Sequence, residues 1–306
     1  MPKAWTVAAV GILTSIGLVA IFFGTISATT KKGIHFSGDD SNLLAYHEIV
    51  LVGDSLTEYS VKPGGWGLQM ITEYSRKMSV SIRGFASYNT HWLKLAIKPI
   101  LLGTTPNPSR IKLITLLLGT NDYVNPSSNK HVPLDLYIKN MREIIATMQS
   151  TAPNAKILVL TPPPMSVKIV YDGEQTAANP NHYATLENAK LYRDACAALV
   201  LDLKKNSQID GKRVEVLDTW DLFIPNHAYD KDGFDPLTLL PLFADTRHFN
   251  EQGNTLLFKG IVGKIASVWP ALSASNQNEV LPTNWIDAPS AMSGDEEGVK
   301  NWLFGL

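Results

Sequence analysis

"IVLVGDSLTEYS", residues 49–60, holds the junction on which the rest of the chain turns. Four consecutive aliphatic residues run into Gly53, and Asp54, Ser55 and Thr57 follow at once. An apolar run of this length reads as a buried strand. Asp, Ser and Thr accept hydrogen bonds from the free N–H groups of a first helical turn, so a helix is expected to open here. Ser55 then has two readings. It caps a helix, or it is a hydroxyl presented on a strand-to-helix turn.

The same alternation continues. "HEIVLV" (47–52), "RIKLITLLLG" (110–119), "AKILVLT" (155–161) and "RVEVLD" (213–218) read as buried strands. Leu134, Tyr137, Ile138, Met141, Ile144, Ile145 and Met148 follow the spacing of an amphipathic helix. Residues 184–205 and 255–269 read as two further helices, "GTTPNPSR" (103–110) as a surface loop, and "RGFASYNT" (83–90) as a loop. Strands separated by helices imply crossovers, and hence a parallel sheet covered on both faces. In such sheets ligands bind beyond the carboxyl ends of the strands. Gly53-Asp54-Ser55, Gly119-Thr120-Asn121-Asp122 and the segment before helix 255–269 would all meet at that edge.

Composition narrows the function classes. The chain has 306 residues, and its 27 Lys plus Arg against 28 Asp plus Glu give a net charge of −1. With no basic run of five or more, a nucleic-acid partner is not expected. The single cysteine, Cys196, excludes internal disulfides and multi-thiolate zinc, and its helical setting suits a buried apolar role. Residues 4–30 carry no charged side chain and are flanked by Lys3 and Lys31–Lys32. That run is long enough to cross a bilayer, which needs about 20 residues. The expected organisation is a membrane anchor and flank over 1–32, a linker over 33–46, a domain over 47–270 and a polar tail over 271–306. The anchor would make the protein single-pass, or secreted if the "ISA" at 26–28 is a cleavage site.

A serine hydroxyl needs an adjacent base, and the base needs a carboxylate to fix its tautomer. "ADTRHFNEQGN" (244–254) supplies Asp245 and His248 three residues apart, in a turn ahead of the last helix. Acyl transfer also needs donors for a developing oxyanion. Ser55 offers its backbone N–H, Asn121 a side-chain amide, and the 83–90 loop a further donor near Gly84. Asp245, His248 and Asp122 make a poor metal set, because no second histidine stands at ligand spacing.

Four ordered blocks carry a resemblance: "VGDSLTEYS", "RGFASYNT", "LLGTNDY" and "DTRH". The sequence resembles the GDSL or SGNH family of serine esterases, and looks nearest to its isoamyl acetate-hydrolysing branch. "GGWG" (64–67), "HVPLDLYIKNM" (131–141) and "ILVLTPPP" (157–164) support that likeness over residues 47–270. The resemblance implies a three-layer α/β/α flavodoxin-like sandwich with a central parallel sheet, preceded here by the N-terminal transmembrane helix. It implies Ser55 as nucleophile, His248 as base and Asp245 as its orienter, with no cofactor and no metal. It implies oxyanion donors at Ser55, Ser87 and Asn121, with Gly84 supporting the loop. The expected substrate is a small-molecule or lipid carboxylic ester, short-chain acyl esters above all. Acyl transfer, lysophospholipid hydrolysis or a catalytically impaired tethered binding protein are the alternatives. Two positions depart from the family pattern. Ser87 stands where the family usually has glycine, and would be strained by about a kcal/mol or more if the loop requires positive φ. Arg247 precedes His248, either repelling its positive charge or pointing to solvent.

Overall fold

The computed structural model describes residues 46–165, 185–205, 210–281, 288–290 and 294–304. Five aliphatic runs build its sheet: β1 (Glu48–Gly53), β2 (Ser79–Gly84), β3 (Ile111–Leu117), β4 (Lys156–Leu160) and β5 (Val214–Leu217). All neighbouring pairs are parallel, in the order β2-β1-β3-β4-β5. β1, β3 and β4 are buried along almost their whole length, as strands covered on both faces must be.

Eight α-helices are described: α1 (Ser55–Glu58), α2 (Trp66–Glu73), α3 (Thr90–Thr104), α4 (Leu134–Thr151), α5 (Leu186–Lys205), α6 (Thr219–Phe223), α7 (Glu251–Val268) and α8 (Glu296–Phe304). The chain steps one way from β1 to β2, then reverses to reach β3, β4 and β5. Right-handed crossovers therefore place α2 on one face and α3, α4 and α5 on the other. The packing agrees: α4 lies between α3 and α5, while α2 and α6 both pack on α7. Three layers result, as expected.

This strand order has its switch point between β1 and β3, where chain direction across the sheet reverses. Register aligns Gly84, Gly53, Leu117, Leu160 and Leu217 along one edge. The turns after β1 and β3 thus emerge side by side. Two glycines make this junction possible. A Cβ at Gly53 would fall 2.6 Å from the Leu117 carbonyl, and one at Gly84 would fall 2.0 Å from Glu58 N. Gly84 closes β2 against α1, which is how it supports the loop that follows.

Several local expectations need correction. Arg83 and Gly84 belong to β2 rather than to a loop, and β2 itself was not expected. It is an edge strand, half-buried throughout, with Ser and Arg breaking its apolar pattern. α3 was also missed: it carries Pro99 inside and exposes Leu95 and Leu102, which blurs the helical stripe. It runs into the expected 103–110 loop, which also contains a 3₁₀ turn over Pro108–Arg110. α7 starts at Glu251 instead of 255, because the Asn250 side chain accepts from Gly253 N. The first residues of the expected polar tail lie on the domain: Tyr74 donates to the Leu272 carbonyl at 2.9 Å, and Val280 N donates to Arg76 O at 2.8 Å. Cys196 is fully buried on α5, as its pattern implied. Among the described residues no helix is long and apolar enough to cross a membrane. The expected anchor at 4–30 lies outside the described residues.

Candidate active site

The turn after β1 divides the roles of Asp54 and Ser55. Asp54 is the cap of α1: its Oδ1 accepts from Leu56 N at 2.9 Å, leaving Ser55 as the first helical residue. The cap reading of Ser55 is thereby corrected. The Asp54 carboxylate is fully buried and also accepts from the Thr120 hydroxyl, so it ties the turn after β1 to the turn after β3. Burial pushes its pKa up, against the opposing pull of those hydrogen bonds and of the Arg247 charge.

Ser55 Oγ lies 2.9 Å from His248 Nε2, and His248 Nδ1 lies 2.7 Å from Asp245 Oδ2. The other Asp245 oxygen accepts from the backbone N–H groups of Arg247 and His248, each at 2.7 Å. Partial burial raises the Asp245 pKa, but the bonds from the His248 ring and the two backbone donors outweigh it and hold the carboxyl at about 2. An ionised carboxylate can only accept, so the Nδ1 proton points at Asp245 and Nε2 is left to accept from the serine hydroxyl. Tyr59 packs on the other side of the imidazole, with ring centroids 5.3 Å apart, and Lys62 sits 4.1 Å above the Tyr59 ring. A cleft of about 450 Å³ opens beside this group, lined by Ser55, Tyr59, His248 and Phe249 among others.

The 85–89 turn is pinned on both sides of this junction. Phe85 N donates to the Gly53 carbonyl at 2.9 Å and Ala86 N to the Glu58 carboxylate at 2.5 Å. On the far side Asn121 Nδ2 donates to the Tyr88 carbonyl at 2.9 Å. Ser87, at the apex, has φ +69°, in the left-handed region that favours glycine. Its N–H has no acceptor among the described residues, and its Oγ accepts from Lys130 Nζ at 2.9 Å. The loop therefore does require positive φ at this position.

Asn121 is held at both ends of its amide. Its Oδ1 accepts from Arg247 Nη1 at 3.2 Å, while one Nδ2 hydrogen goes to Tyr88. The nearest other acceptor for Nδ2 is Asp54 Oδ2 at 3.5 Å, too far for a well-formed bond. Arg247 is half-buried and bonded to Asn121, so it does not point to solvent as one expectation had it. Asp122, the neighbour, is fully buried and accepts from Thr90 N at 3.0 Å; burial pushes its carboxyl up to about 7.

All six sequence-predicted residues gather at one edge of the sheet, around the ends of β1, β2 and β3. Ser55, His248 and Asp245 form one hydrogen-bonded line, Ser87 and Asn121 flank it, and Gly84 lies one step behind. The residues missed were Glu58 and Lys130, while Thr120 was named only as part of its cluster, without its bond to Asp54. Lys130 sits in "SSNKHV", a polar turn with no local signal of its contact 43 positions away. Among the described residues no group of three or more His, Cys, Asp and Glu side chains is arranged to hold a metal ion.

The GDSL-like lipase/acylhydrolase family model matches residues 49–261, and the chain belongs to that family. It is a carboxylic ester hydrolase of the GDSL/SGNH type. It is 30% identical over 227 residues to the isoamyl acetate-hydrolyzing esterase 1 homolog of Mus musculus, covering 70% of this chain and 80% of that protein. It is 28% identical over 233 residues to a GDSL esterase/lipase of Arabidopsis thaliana, covering 72% of this chain and 86% of the relative. Among solved structures the fold is similar to LAE5, an alpha/beta hydrolase enzyme from the metagenome of Lake Arreo, Spain. That likeness has a TM-score of 0.50 and 16% identity, over 77% of this chain and 99% of the other.

Proposed function

We propose that the protein hydrolyses short-chain acyl or acetyl esters through an acyl-enzyme on Ser55. The observation that carries this reading is the unbroken line from Ser55 Oγ to His248 Nε2 at 2.9 Å and from His248 Nδ1 to Asp245 at 2.7 Å. His248 takes the serine proton as Oγ attacks the ester carbonyl. Asp245, ionised at all working pH values, steadies the imidazolium that forms. The oxyanion is held by Ser55 N–H, Ser87 N–H and the uncommitted Nδ2 hydrogen of Asn121. Ser55 N–H is free for this because the first N–H groups of a helix have no intrahelical acceptor. His248 then passes its proton to the leaving alcohol, and water activated by the same nitrogen releases the acid.

A short-chain substrate is supported by the likeness to relatives named isoamyl acetate-hydrolyzing esterase homologs, together with a cleft of about 450 Å³. The uncharged run at 4–30 supports tethering of this hydrolase to a membrane. Carbonate extraction of membranes carrying the full chain tests that point: the protein stays with the pellet if tethered and leaves it if not. The catalytic reading is tested on purified protein with p-nitrophenyl acetate, butyrate and octanoate. Wild type is expected to prefer the shorter esters and Ser55→Ala to lose all three. Equal rates for wild type and Ser55→Ala would overturn it.

A further inference from the structure

Two cations stand directly behind the residues that offer oxyanion donors. Lys130 Nζ donates to Ser87 Oγ at 2.9 Å, and Arg247 Nη1 donates to Asn121 Oδ1 at 3.2 Å. Both side chains are half-buried, and neither is ion-paired with a carboxylate among the described residues. Elsewhere in the fold Arg142, Arg193 and Arg213 each meet an aspartate. Lys130 is also fixed through its backbone, whose carbonyl accepts from Asn89 Nδ2 at 2.8 Å. Burial and the neighbouring Arg247 charge both pull its pKa down. The surrounding carboxylates are committed: Glu58 to Ala86 N, Asp54 to Leu56 N and Thr120, Asp122 to Thr90, and Asp245 to His248.

We propose that Lys130 and Arg247 receive an anionic group on the ester itself, so that the preferred substrates are esters bearing a carboxylate a few bonds from the scissile carbonyl. This rests on the Ser55 reading above, since that reading puts the carbonyl oxygen beside Ser87 and Asn121. An oxygen held by those two residues is within one side-chain length of both cations. A carboxylate carried on either arm of the ester reaches them, and a neutral chain makes no use of them. Opposite charges on substrate and site also raise the rate of productive encounter, an effect that salt suppresses.

The test uses charge-matched ester pairs on the full chain. 4-Acetoxybenzoate against 4-acetoxybenzamide varies charge on the alcohol arm. Monomethyl glutarate against methyl 5-amino-5-oxopentanoate varies it on the acyl arm. The readout is the ratio of kcat/KM, anionic to neutral, in which any disturbance of the oxyanion donors cancels. Wild type is expected to favour the anionic member of at least one pair, and the responding pair identifies the arm. That ratio should fall about tenfold in Lys130→Met and in Arg247→Met, fall further in Lys130→Glu, and be regained in Lys130→Arg. Raising NaCl from 0.05 to 0.5 M should lower it as well. A ratio unchanged across all variants in both pairs, with neutral and anionic rates falling together, overturns the proposal and leaves the cations as supports for Ser87 and Asn121. Fluorophosphonate labelling of the same samples separates the two claims. A labelled enzyme indifferent to substrate charge overturns this proposal alone, whereas folded wild type that does not label overturns the Ser55 reading beneath it.

Discussion

Replacing Asn121 with alanine changes catalysis and stability by amounts that can be measured separately. The substitution removes the Nδ2 donor, and a lost oxyanion donor costs about 2.7–4 kcal/mol of barrier, or 10²–10³ in kcat. It also strips the Tyr88 carbonyl of its donor and Arg247 of its acceptor, bonds of 2.9 and 3.2 Å in the native protein. The Tyr88 carbonyl left unpartnered costs about 1–3 kcal/mol in stability, and the half-buried Arg247 turns to water for its partner. A domain stable by about 5–15 kcal/mol keeps nearly all its molecules folded after such a loss. Steady-state rates with p-nitrophenyl acetate, alongside urea unfolding midpoints, give both numbers. Asn121→Ala should lower kcat by 10²–10³ while KM changes by no more than about threefold, because the donor acts on charge that develops only in the transition state. A kcat within tenfold of wild type, or a loss residing in KM, would refute the oxyanion assignment.

Ser87→Gly relieves a left-handed residue, worth about 1–2 kcal/mol, but restores unfolded-state freedom worth about 0.4–1 kcal/mol and loses the bond from Lys130. Its stability should stay within about 1 kcal/mol of wild type and its kcat within about threefold, since the N–H survives. Ser87→Val, branched at Cβ, should instead lose about 1–3 kcal/mol in urea denaturation. Asp245→Asn should lower kcat by about 10²–10⁴, because the amide no longer fixes the His248 tautomer or steadies its charge; a variant with full activity would remove Asp245 from the mechanism. Asp122 has a folded pKa of about 7 against 3.8 for the ordinary carboxyl, so the folded state holds its proton longer than the unfolded state does. Its contribution is fully present below pH 3.8 and is lost as pH rises through about 7. Urea midpoints of wild type should therefore fall relative to Asp122→Asn between pH 4 and pH 8, and parallel pH curves would contradict the assignment.

The fold was legible where burial leaves a pattern. β1, β3 and β4 are continuous aliphatic runs because both their faces are covered, and α4 shows an unbroken apolar stripe facing the sheet. β2 and α3 escaped because the first lies at the sheet edge and the second exposes Leu95 and carries Pro99. The candidate site was legible because its members sit at strand ends and turns, where residue type is dictated by geometry. Gly53, Asp54 and Ser55 announce a tight turn into a helix, and Asp245 and His248 are close enough in sequence to suggest a pair. The supporting contacts were not legible. Lys130 reaches Ser87 across 43 positions and Arg247 reaches Asn121 across 126, and neither turn advertises its partner. Ser87 illustrates the limit from the other side. Its backbone angle follows from how the 85–89 turn is pinned to Gly53, Glu58 and Asn121, which no local rule contains.

The central claim is that Ser55 is the activated nucleophile, and mass spectrometry of the fluorophosphonate adduct tests it most directly. Wild-type protein should carry one adduct, on the peptide containing Ser55, and Ser55→Ala should carry none while unfolding at the wild-type urea midpoint. Adduct on a different residue, or labelling of Ser55→Ala at the wild-type rate, would contradict the account.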